Sequence, residues 1–107
     1  MDLGELVPAG IYGCWRVVCT TQPDANGWRT ETSGPYLTRD GAIAGAATSR
    51  SEIDASRGGR LESPWHQTNL ASSQLLALDP LGEGEIAWEN TWGEMVTVRR
   101  STLVVAG

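Results

Sequence analysis

The sequence predicts an α+β domain in which one helix covers one face of a small antiparallel sheet, in the approximate order β-β-α-β-β-β. Three observations carry this. Two alternating apolar–polar segments flank Asn26-Gly27, a strong hairpin signal because both residues tolerate positive φ. A second alternating pair flanks Asn90-Thr91-Trp92-Gly93. Between the two hairpins, Ala and Ile recur at helical spacing after Thr38.

The elements follow in order. Residues 1–9 read as a short leader. The run IYGCWRVVCT at 11–20 is rich in β-branched and aromatic residues and reads as a strand. Trp15, Val17 and Cys19 share one side, which carries no charge and is therefore the expected core side; Cys14, Arg16, Val18 and Thr20 share the other. Residues 28–33 alternate Trp28, Thr30 and Thr32 with Arg29 and Glu31, so they close a hairpin on 11–20 with their charged side turned outward.

Thr38 is a suitable helix cap, and Asp40 falls in the first turn, where exposed amides favour negative charge. The helix is expected over 39–54, laying Ala42, Ile43, Ala46, Ala47 and Ile53 on the sheet. Gly41 and Gly45 each cost about 1 kcal/mol of helix propensity, and their small size permits close packing. SRGGR at 56–60 ends the helix as a glycine loop. Residues 61–83 read as an irregular approach followed by a short strand at 75–78, stopped by Asp79-Pro80.

In GEIAWEN at 84–90, Ile86 and Trp88 alternate with Glu85, Ala87 and Glu89, which directs both acids to solvent. EMVTVRR at 94–100 is the antiparallel partner, with Met95 and Thr97 on one side and Val96 and Val98 on the other. The terminal STLVVAG either continues that strand or forms another after a bend.

Composition narrows the class. At 107 residues, 40% hydrophobic and 20% charged, the chain suits a single domain spanning 1–107; it is too apolar for disorder and too interrupted by polar residues for a membrane span. Positive charge rests on eight Arg with no Lys, and the net charge of −5 disfavours direct DNA or RNA binding. Cys14 and Cys19 on one strand would lie roughly 16 Å apart on opposite sides, too far to pair. Two such thiols, and an N-terminus with neither a basic segment nor a long apolar run, point to the cytoplasm.

The inventory for chemistry is thin. The cysteines and the single His66 lack zinc-site spacing, so neither a metal nor another cofactor is expected. No serine lies in a nucleophile motif, SRGGR lacks the spacing and Lys-Ser/Thr ending of a phosphate loop, and His66 reads as a surface or loop-anchoring residue. No catalytic residue is assigned.

The segment 79–94 combines acids and aromatics without a positive charge. With Trp92 exposed at the hairpin tip as anchor, beside Trp88, and Glu85, Glu89 and Glu94 selecting charge, it would suit a protein partner that is basic or itself binds nucleic acid. The expected function is accordingly that of a small acidic cytoplasmic protein-binding or regulatory protein. The alternatives are a small enzyme or ligand-binding domain with a Trp/Arg-lined pocket, and an assembly subunit that uses its sheet edges.

Overall fold

The computed structural model describes residues 8–24, 27–56, 65–68 and 81–106. Among these the chain is a small α+β domain: β1 (Gly10–Asp24), β2 (Gly27–Tyr36), α1 (Arg39–Ser56), β3 (His66–Thr68), β4 (Ile86–Glu89) and β5 (Met95–Val105). The strands form one antiparallel sheet in the order β2-β1-β5-β4-β3. Both expected hairpins are present, β1 with β2 and β4 with β5. Pairing of β1 with β5, from Gly10↔Val105 to Thr20↔Met95, joins them across the middle of the sheet. STLVVAG continues β5 as far as Val105 instead of starting a new strand.

The described residues include a strand that the sequence reading did not mark. His66–Thr68 pairs with β4, in a stretch read as an irregular approach; the strand expected at 75–78 lies outside the described residues. A three-residue strand has too little alternation to be seen in sequence, and its pairing with β4 is what makes it one.

The helix begins as expected. The Gly41 amide donates to Thr38 Oγ1 at 3.0 Å, and the Ala42 amide to the Thr38 carbonyl at 3.1 Å. Arg39 Nε donates to the Gly84 carbonyl at 2.8 Å, tying the start of α1 to the approach to β4. Ala42 and Ala46 are fully buried against Val17, Val96 and Val98, with Trp15, Cys19, Ile43, Ile53 and Trp88 packed around them. Small residues at 42 and 46 let the helix axis approach the sheet, so large rings are needed only at the margins of this core. Ala47, assigned to the same side by spacing, is exposed instead. Gly45 lies so close to Tyr36 that a Cβ there would collide with the ring, which gives the glycine a packing role.

Two strands depart from simple alternation. In β5 all of Met95, Val96, Thr97 and Val98 are buried, because this central strand is covered on both sides. Val96 and Val98 meet the helix, whereas Met95 packs with Ala87 and Leu81 on the far side. Cys14 and Thr20 are buried too, although they alternate with the helix-facing residues of β1. In β2, Arg29 and Glu31 pair with Thr21 and Cys19, so the charged side of this strand shares the helix side of the sheet; it does not face outward as alternation suggested. The helix runs over β1 and β5 and touches β2 at Tyr36, and the rest of β2 is exposed, which lets those charges stay in solvent.

Candidate functional site

The turn between β4 and β5 is organised by Asn90. Its Oδ1 accepts the Trp92 amide at 3.0 Å and the Glu94 amide at 2.9 Å, while Nδ2 donates to Glu94 Oε1 at 3.0 Å. The Asn90 amide in turn donates to the Glu94 carbonyl at 3.0 Å, and Gly93 supplies the positive φ of 80° that closes the turn. The second Glu94 oxygen accepts the Gln22 amide from β1 at 2.9 Å. One carboxylate therefore bridges the turn to the neighbouring strand.

The five residues singled out in sequence take different positions. Trp92 is 44% exposed at the tip of this turn. Glu94 is 1% exposed and committed to the turn, in contrast to a surface carboxylate. Trp88 is half-buried against the helix core, and the Arg50 guanidinium stacks over its ring at 4.2 Å. Burial pushes the Arg50 pKa down, and Asp54 opposes that shift. Glu89 is half-buried, its carboxylate 3.9 Å from His66 Nε2.

Glu85 also departs from the solvent-facing position that alternation assigned to it, since its side chain is only 9% exposed. It accepts the Gly82 amide at 2.6 Å, the Arg100 amide at 2.8 Å and the Arg99 guanidinium at 3.3 Å. Burial alone would raise its pKa. The two amides and the Arg99 charge outweigh burial and hold it below the ordinary carboxylate range. Alternation with Ile86 assigned Glu85 to solvent because it carried no information about the donors that converge on it.

Asn90 is the organising residue that sequence reasoning passed over as an ordinary turn position. The available signal was an Asn opening a turn with Glu four residues later, a spacing that permits side-chain bonds across the turn.

A separate polar cleft of about 390 Å³ lies between β2 and α1, with Cys19, Arg29, Glu31, Ser49 and Glu52 in its walls. Burial raises the Cys19 pKa; a hydrogen bond with Ser49 acts against this, and Glu31 and Glu52 add to it. The thiol is thus held protonated at neutral pH, the inactive form for nucleophilic attack. Both cysteines are free, and the regular β1 register sets Cys14 and Cys19 on opposite sides of the strand. Among the described residues no three His, Cys, Asp or Glu side chains are grouped to hold a metal ion, and no helix is long and apolar enough to cross a membrane. No known family model matches this chain, and no curated protein or solved structure matches it.

Proposed function

We propose that this chain is a small acidic protein-binding module that presents Trp92 to a basic protein partner. The observation that carries the reading is a tryptophan 44% exposed on a turn whose backbone is pinned by the buried Asn90–Glu94 pair. An indole held on a fixed turn loses little conformational freedom on binding and removes a large apolar area from water. The net charge of −5 favours encounter with a basic surface, which can belong to a protein that itself binds nucleic acid. Glu89 contributes local charge on this reading, while Glu85 and Glu94 hold the presenting turn and strand in place and Trp88 supports β4 from within. Two free cysteines fit a reducing compartment such as the cytoplasm.

The test is affinity capture with the full chain, comparing wild type with Trp92→Ala and Glu89→Gln after each variant is verified as folded. Partners retained by wild type at low salt are expected to be lost with Trp92→Ala, a change of about 2 kcal/mol or more by calorimetry. Glu89→Gln is expected to cause a smaller, salt-sensitive loss. Equal recovery by wild type and Trp92→Ala removes Trp92 from the function.

A further inference from the structure

The outer strand β2 is exposed along nearly its whole length, and among the described residues nothing pairs with its outer edge. Such an edge offers a row of unpaired backbone donors and acceptors to another strand. The regular part runs from Trp28 to Ser33, between Gly27 with a φ of 120° and Gly34 with a φ of 115°; beyond it Pro35 has no amide hydrogen. The helix is set back from this edge by the polar cleft, so among the described residues no element overhangs an approaching strand there.

The charges on the strand select what can approach. Arg29 and Glu31 are the only charged residues of β2, lie on the same side, and have side chains 64% and 71% exposed. Their mutual contact is a loose 3.8 Å pair in solvent, which holds neither of them strongly. Antiparallel pairing of two β2 strands about Thr30 sets Arg29 of each copy opposite Glu31 of the other. Trp28 then faces Thr32, so the pairing takes up Trp28 to Thr32 of the stretch between the two positive-φ glycines. Centring the pair on Arg29 or on Glu31 would instead oppose like charges, which is unfavourable.

We infer that two copies of this chain associate through β2, in antiparallel register about Thr30, to form one continuous sheet across a two-fold axis. The axis is perpendicular to the sheet, so both helices lie on the same face. The two polar clefts then join into a trough whose floor carries both Arg29–Glu31 pairs. The contact is isologous, and it covers the β2 edge of each subunit.

Sedimentation equilibrium of the full chain over a concentration series tests this, with circular dichroism to verify folding. Wild type is expected to dimerise. Arg29→Glu and Glu31→Arg each create two like-charge oppositions and are expected to weaken the dimer about tenfold or more. An equimolar mixture of the two variants restores opposite charge at both positions, and so does the double variant R29E/E31R; both are expected to recover dimerisation. A monomeric wild type, a dimer unaffected by either single change, or a mixture that remains as weak as its components would overturn the inference. Trp92→Ala is expected to leave the dimer intact, which separates this surface from the proposed partner-binding turn.

Discussion

Two carboxylates of the same type meet opposite environments in this molecule. Glu31 on the outer strand has a side chain 71% exposed and only a loose contact with Arg29. Glu94 at the β4–β5 turn is 1% exposed, with its oxygens taken by Asn90 Nδ2 and the Gln22 amide. Glu85 resembles Glu94 more than Glu31, although its position in an alternating strand suggested solvent. The number of acids in a segment thus says little about its surface charge. A carboxylate beside free backbone amides is drawn into the structure, because a charged acceptor forms the stronger hydrogen bonds.

That contrast is open to attack through substitution. The largest effect is expected for Asn90→Ala, which removes the turn's central acceptor and leaves a buried carboxylate short of a donor; urea unfolding should show a loss of about 3 kcal/mol. A result below about 1 kcal/mol would mean that the turn holds without its network.

Ala46→Leu tests the other buried region, where α1 lies against Val17, Val96 and Val98. Overpacking at a fully buried small residue is expected to cost about 2 kcal/mol in the same assay. A neutral outcome would show that the helix can lift from the sheet at little cost.

Glu85→Gln is expected to destabilise by about 1.5 kcal/mol at neutral pH, since charge-assisted bonds to Gly82, Arg100 and Arg99 weaken. The folded-state pKa of Glu85 is depressed, so its contribution is present above the ordinary carboxylate pKa and is lost as pH falls through the folded value. Unfolding measured from pH 7 into the acid range should therefore bring variant and wild type closer together. A difference that stays constant with pH would show that the charge of Glu85 is not what stabilises the strand.

The smallest effect is expected for Glu31→Gln, within about 0.5 kcal/mol for the isolated subunit, because its side chain is in solvent. Measured at dilution, a larger loss would place Glu31 inside the fold and collapse the contrast with Glu94.

Much of the architecture was legible in local patterns. Asn26-Gly27 between alternating runs marked the first hairpin, and Thr38 with the Ala and Ile spacing marked α1, because turn chemistry, capping and helical periodicity act over a few neighbouring residues. Sequence left Trp92 either at the hairpin tip or over the end of the sheet, and in the structure it is 44% exposed at the turn. Arg29 and Glu31 on the helix side, and burial on both sides of β5, were not legible, because each depends on which strand becomes central and where the helix comes to rest.

Local patterning is therefore enough to specify the two hairpins, the capped helix and the small residues that let that helix approach the sheet. Long-range pairing sets β5 beside β1, leaves the outer edge of β2 open among the described residues, and brings the Arg100 amide to Glu85 and the Gln22 amide to Glu94. The physical reason is range. Propensity, capping and turn geometry are settled within a few residues, whereas the partners of a buried carboxylate come from strands far away in the chain, such as Gln22 for Glu94.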